Sequence, residues 1–244
     1  MRMKSIFRHE TILFLVVIVA LVILSIQAEQ FATIDNLLNQ GRFLTEVSLV
    51  ALIMTFVIVT GGIDLSVGSI LGLSAIVLGV AWKKLGLPLP LAILVALSVG
   101  TLAGLFNGII ITRFKVPPLI ATLATLALYR GLAEGISQAR SIRGYPEWFF
   151  ILGQGEFFGI PTQLWIVAFF TLLTGFILTY TTWGRATYAI GANETAARFS
   201  GIAVDKTKLF IYAASGFAAS LAAIIFVSRV STTRSDMGLS LIHI

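Results

Sequence analysis

Cysteine is absent from the 244 residues, and histidine occurs only as His9 and His243. Disulfides, thiol chemistry and Cys/His metal clusters are thereby excluded. Charge is scarce too. Asp, Glu, Lys and Arg make up 11% of the residues, against about 25% in an ordinary soluble domain. No Gly-Lys pair occurs, so there is no phosphate-cradling P-loop. H-E-x-x-H and G-x-S-x-G are missing. Gly153-Gln154-Gly155 lacks the third glycine of a dinucleotide fingerprint. The chain therefore carries no cofactor site of its own, and any ATP that drives it is hydrolysed by another chain.

What is present is apolar. The hydrophobic set makes up 57% of residues, and the mean hydropathy is +0.97. A soluble core cannot hide so much apolar surface, so the surplus faces lipid. That excludes a soluble enzyme, a disordered chain and a nucleic-acid binder. The net charge of +6 fits cytoplasmic loops enriched in Lys and Arg. Seven apolar segments stand out, at roughly 10–28, 45–62, 66–82, 89–112, 117–135, 161–181 and 207–228. Each is near the ~20 residues that cross the hydrocarbon. The expected fold is all-α, a polytopic integral membrane protein. The first segment follows Arg2, Lys4 and Arg8, but Ser25-Ile26-Gln27-Ala28 is a poor cleavage site, so it reads as a retained anchor. With the N-terminus in the cytoplasm, nine cations fall inside and seven outside. Lys83-Lys84 count against that arrangement, and the bias is small.

The stretch 136–160 carries Tyr145, Trp148, Phe149, Phe150, Phe157 and Phe158. It reads as an aromatic belt at the headgroup level, or else as a docking surface for a soluble partner. Gly100, Gly104 and Gly108 share one face of the fourth segment, and Ser215, Ala219 and Ala223 one face of the seventh. Gly68 and Gly72 form a shorter stripe. Such stripes let backbones approach closely.

Gly61-Gly62-Ile63-Asp64-Leu65-Ser66 interrupts an apolar run. A buried Asp costs about 2.5–3.5 kcal/mol on insertion scales and needs a partner or water. Asp64 caps the next helix in a tight turn, or it marks a broken element lining a polar path. Asn107 lies in the glycine face and bonds a neighbouring helix or a polar solute. Arg130 and Glu134, four apart, make an intrahelical pair. In 182–207, Asn193 reads as an N-cap, Glu194 as a first-turn acid paired to Arg198, and Gly201 as the stop. A short capped helix over Glu194–Ser200 follows. It is either an ordinary structured loop or an element that passes force to a partner.

Three motifs, in order, resemble one family: Gly61–Ser69 (GGIDLSVGS), Lys115–Leu123 (KVPPLIATL) and Gly191–Ile202 (GANETAARFSGI). The chain is similar over about 10–238 to sugar-type ABC importer permeases, which include those for ribose, arabinose, xylose, rhamnose and a furanose quorum signal. Tyr129–Leu132 and Arg234–Gly238 lean toward the rhamnose and quorum-signal members. The resemblance implies a bacterial inner-membrane transport subunit without catalysis. It implies an ABC ATPase that binds the ATP, a periplasmic sugar-binding protein, and a second permease copy or sibling as dimer partner. It places Asn193, Glu194, Ala197, Arg198 and Gly201 on the ATPase-coupling surface. It sets Asp64 and Ser66, and with them Gly68 and Asn107, near the translocation pathway. Residues 239–244 (LSLIHI) depart from the family and are what a sequencing-library adapter encodes. The expected permease domain is therefore 1–238, incomplete at its C-terminus, with a non-native tail. The competing reading is a gradient-driven secondary transporter built on a broken helix at Asp64.

Overall fold

The computed structural model describes residues 9–138 and 140–238; the tail at 239–244 and the cations Arg2, Lys4 and Arg8 lie outside the described residues. The chain divides into two units, Met1–Phe43 and Leu44–Ile244. The first holds α1 (His9–Gln27), whose large apolar side chains from Ile12 to Ile26 are exposed. Next, the Thr33 hydroxyl accepts the N–H of Asn36 at 3.3 Å and opens α2 (Ile34–Val59). This helix starts eleven residues before the apolar segment expected at 45. Its first turns carry Asp35, Asn36, Gln40 and Arg42, so hydropathy marks the membrane stretch and not the helix start.

The second unit is a helical bundle. Its helices are α3 (Val67–Lys83), α4 (Leu89–Arg113), α5 (Pro118–Ser137), α7 (Thr162–Tyr180), α8 (Thr182–Ala192), α9 (Glu194–Phe199) and α10 (Val204–Val230), with the single turn α6 (Ile151–Gln154). Prolines open α4 and α5, where the missing N–H costs nothing. Among the described residues, α2, α4, α5, α7 and α10 are long and apolar enough to cross a membrane; α3 and the apolar part of α1 are shorter. All seven expected segments are helical, and α8 is an addition. The Thr181 hydroxyl caps α8 by accepting the Gly184 N–H at 3.1 Å.

α3 sits at the centre, with thirteen of its seventeen residues buried. The glycine face of α4 meets the small-residue face of α10. A Cβ on Gly104 would overlap the Tyr212 carbonyl oxygen, and one on Gly216 would overlap that of Gly100. Gly68 and Gly72 serve a different contact. Gly68 faces Gly238, and Gly72 faces the carbonyls of Ser235 and Met237. Residues 232–238 thus return from the end of α10 along α3 into the bundle.

The stretch 136–160 is not a simple belt. β1 (Ile142–Arg143) pairs antiparallel with β4 (Thr232–Thr233). β2 (Glu156–Phe157) and β3 (Ile160–Pro161) form a hairpin turned by Phe158 and Gly159, both at positive φ. Phe149 is wholly buried and Tyr145 nearly so, both in the main core, while Trp148, Phe157 and Phe158 are exposed. A 3-10 turn over Glu147–Phe150 alternates the aromatics inward and outward, which composition alone cannot show. The same end holds a buried ion pair, Arg229 Nε to Glu46 Oε1 at 2.9 Å.

Candidate functional site

Two groups of polar residues stand out. The first lies where α2 stops and α3 begins. Gly61 takes φ +73, and the N–H of Gly62 returns to the Val57 carbonyl at 2.9 Å. This left-handed glycine ends α2. The chain then runs without regular structure from Ile63 to Ser66, where the backbone already turns helical at φ −80, ψ −12, and α3 starts. Asp64 Oδ1 accepts the Ser66 N–H at 3.0 Å and the Ser66 hydroxyl at 2.6 Å. Its Oδ2 accepts the Ser215 hydroxyl of α10 at 2.8 Å. Asn107 of α4 donates to Ser66 Oγ at 2.7 Å and accepts from the Tyr129 hydroxyl of α5 at 3.1 Å. That hydroxyl also reaches the Ala103 carbonyl at 2.8 Å.

One carboxylate, three hydroxyls and an amide therefore join α3, α4, α5 and α10. Asp64 does not cap α3 in the ordinary sense, since it holds the N-cap residue itself in an Asx turn. Its second oxygen binds another helix. Asp64 is 1% exposed, and Ser66, Asn107 and Ser215 are fully buried. No ion pair to Asp64 occurs among the described residues, so hydrogen bonds alone offset its burial. Asn107 lies six residues from the end of α4, roughly 9 Å. Ser215 lies eleven residues from the start of α10, roughly 16 Å. The cluster is deep in the bundle, and α3 starts there rather than at a surface. The chain thus breaks between two helices within the bundle, with the positive end of α3 beside a carboxylate. Gly68, in the first turn of α3, is buried beneath Gly238.

The second group surrounds α9. Asn193 Oδ1 accepts the Ala196 N–H at 2.9 Å, and Gly201 closes the helix at φ +83. Both match the expectation. Arg198 pairs with Glu194 at 2.9 Å and with both oxygens of Asp205, at 2.6 and 2.9 Å. Lys208 reaches Glu194 at 2.6 Å, and Lys115 reaches Asp205 at 2.9 Å. Lys208 first, then Arg198, holds the Glu194 carboxyl below its ordinary range. Asp205, then Glu194, raises the Arg198 guanidinium above its own. The sequence pairing of Glu194 with Arg198 was therefore incomplete. Asp205, Lys208 and Lys115 lie seven to ninety residues away from their partners in sequence, and only helix packing brings them in.

Ala197, expected on the same surface as Glu194 and Arg198, faces inward. It is 4% exposed and packs on Ile190 and Val204, so it anchors α9 from below. Phe199, two positions on, turns about 200° round the helix and is 89% exposed. Sequence reasoning passed over it. The signal was there: a large apolar residue opposite the only inward position of a short polar helix. Lys115 is unusual in another way. It holds φ +56 at the end of α4, where the Val116 N–H reaches back to the Ile110 carbonyl. A left-handed L-residue costs about 1 kcal/mol that glycine would not. Arg130 and Glu134 pair at 3.2 Å, half exposed, as expected.

The profile of the family described as "Branched-chain amino acid transport system / permease component" matches residues 34–244. The chain belongs to this permease family. The ribose import permease protein RbsC of Haemophilus influenzae is 38% identical over 231 residues, covering 93% of this chain and 71% of the relative. That of Bacillus subtilis is 40% identical over 92% of this chain and 70% of its own. The autoinducer 2 import system permease protein LsrD of Escherichia coli is 40% identical over 80% of this chain and 60% of its own. No solved structure matches. The permease is thus a multi-pass membrane transport subunit and not an enzyme. The comparisons lend nothing to the gradient-driven alternative.

Proposed function

We propose that this permease moves a monosaccharide or similar small polar carbohydrate into the cytoplasm, as the membrane subunit of an ABC importer. The observation that carries the reading is the likeness to ribose import permeases over nine-tenths of the chain. The family description names branched-chain amino acids, but the relatives reported above are named for ribose and autoinducer 2. The deep cluster suits such a solute. It offers hydroxyl, amide and carboxylate groups that exchange partners with sugar hydroxyls. Asp64, Ser66, Gly68 and Asn107 border the path in this reading, and all four are buried. A mostly neutral interior argues against ion pumping.

In this reading α9 is the coupling element. Asn193 and Gly201 fix its ends, and Glu194 and Arg198 fix its orientation. Phe199, with Thr195, faces the ATPase subunit. A periplasmic sugar-binding protein delivers the solute at the opposite end. A second permease, identical or sibling, covers α5. Its Arg130–Glu134 pair points outward from a span, beside the uncovered Gly131 and Gly135. Lipid offers such a charge pair nothing, whereas a twofold partner offers its own.

The test is uptake of labelled ribose by proteoliposomes holding the permease with its ATPase and binding protein, challenged with unlabelled autoinducer 2. ATP-dependent uptake is expected, and the competitor ranks the two solutes. Uptake that follows a proton gradient without the ATPase, and stops with Asp64→Asn, overturns the reading.

A further inference from the structure

The charged network at α9 touches two elements that lead to the deep cluster. Asp205 and Lys208 lie in the first turns of α10, the helix that carries Ser215. Lys115 lies at the elbow between α4 and α5, the helices that carry Asn107 and Tyr129. α4 and α10 interlock through backbone at Gly100, Gly104 and Gly216, so they move as one body. α5 has no such interlock with α4 or α10: its Gly131 and Gly135 face away from the bundle, and its Tyr129 and Ala133 pack in the main core with α3. The Tyr129–Asn107 hydrogen bond therefore joins the α4–α10 body to α5, which rests on α3 and is tied to the stretch before it by the Thr122 hydroxyl on the Ile63 carbonyl at 3.3 Å. The elbow at Lys115 joins α4 to α5, and among the described residues one long-range ion pair spans it, from Lys115 to Asp205.

The elbow is built at a conformational cost. Lys115 occupies a left-handed position that glycine would fill without strain. Backbone geometry gives no reason for a lysine there, and the ammonium 2.9 Å from Asp205 does. Asp205 also holds Arg198 of α9. A displacement of α9 thus reaches Asp205 directly and the elbow one residue later. A recess of about 180 Å³ lies under this network, lined by Lys115, Pro117, Glu194, Asp205 and Lys208 among others. It leaves the ion pairs room to exchange partners.

We propose that Lys115 and Asp205 are positioning residues of the transport cycle, the link by which movement of α9 swings α5 and opens the Tyr129–Asn107 contact. This rests on α9 being the ATPase-coupling element, as proposed above. Because the chain lacks cysteine, spin labels attach only where cysteines are introduced. Ile136→Cys on α5 and Val230→Cys on α10, both partly exposed, report the spacing at the far end of the bundle. The distance between them is measured in the assembled permease–ATPase complex with and without ATP plus vanadate. Lys115→Gly and Lys115→Arg are compared with the parent, alongside ATPase association and melting temperature.

The expected result is a nucleotide-dependent distance change in the parent and in Lys115→Arg, lost in Lys115→Gly. Lys115→Gly should bind the ATPase as before and melt at or above the parent temperature, because it relieves strain. A purely structural elbow would leave the distance change intact in Lys115→Gly, and that result overturns the link. If the parent complex does not form, or Phe199→Ala leaves its affinity unaltered, the coupling role of α9 falls, and the link falls with it. The two failures are told apart by the association measurement.

Discussion

The deep cluster and the α9 network use similar groups in opposite surroundings. The cluster has one carboxylate, buried, held by two hydroxyls and a backbone N–H alone. The network has two carboxylates and three cations, mostly exposed, paired several times over. In the first, each hydrogen bond has no water to replace it, so removing one partner strands another. In the second, water and salt stand in for any partner lost, and each pair is worth little to stability. The cluster therefore holds the fold together at the break between α2 and α3. The network sets the position of one short helix, which otherwise rests on Ala197 and its caps.

The sharpest way to break that contrast is Asn107→Ala. It removes the donor to Ser66 Oγ and one acceptor of the Tyr129 hydroxyl, which keep only Asp64 and the Ala103 carbonyl, and leaves a void in place of a buried amide, so a loss of about 2–3 kcal/mol is expected. Denaturant unfolding in detergent measures it, and a loss under about 1 kcal/mol would show that the cluster is not structural. Phe199→Ala comes next and acts in the other direction. Stability should hold, while ATPase affinity falls roughly 30-fold, the equivalent of ~2 kcal/mol at an interface anchor. Titration of the ATPase against permease in nanodiscs reads this directly.

Replacing Glu194 and Arg198 together by Ala should cost stability no more than about 1 kcal/mol and leave membrane insertion intact. ATPase association should nonetheless weaken, because α9 loses its orientation. Unchanged association and uptake would remove Glu194 and Arg198 from the coupling surface. The smallest effect is one of pH. Glu194 titrates below its ordinary value in the folded chain. Its contribution is therefore complete above the ordinary carboxylate range and is lost as pH falls through the lowered folded value. Amide exchange in α9 should quicken over that acid window, after correction for intrinsic rates, and quicken less in Glu194→Gln.

The helices were legible because lipid demands long apolar runs. The close-packing faces of α4 and α10 were legible because glycine at four-residue spacing has few other uses, but that the two faces meet each other was not. The caps of α9 were legible because Asn193 and Gly201 act locally. The partners of Asp64 and Arg198 were not. Ser215 and Asp205 are ordinary residues in the sequence, and their roles arise when α10 packs against α3 and α9. The burial of Ala197 was not legible from its motif, because motif membership says nothing of helix phase. Counting 100° per residue from the caps would have turned Ala197 inward and Phe199 outward. The aromatic stretch 136–160 was misread for a similar reason. Whether Phe149 enters the core depends on a short 3-10 turn that leaves no periodic signal.

Hydrogen exchange of the permease, alone and with its ATPase, tests the division of labour most directly. Binding of the ATPase should protect Glu194–Phe199 and leave Gly61–Ser69 unchanged; added ATP should then alter exchange at Gly61–Ser69. Exchange in α9 that is indifferent to the ATPase would contradict the account.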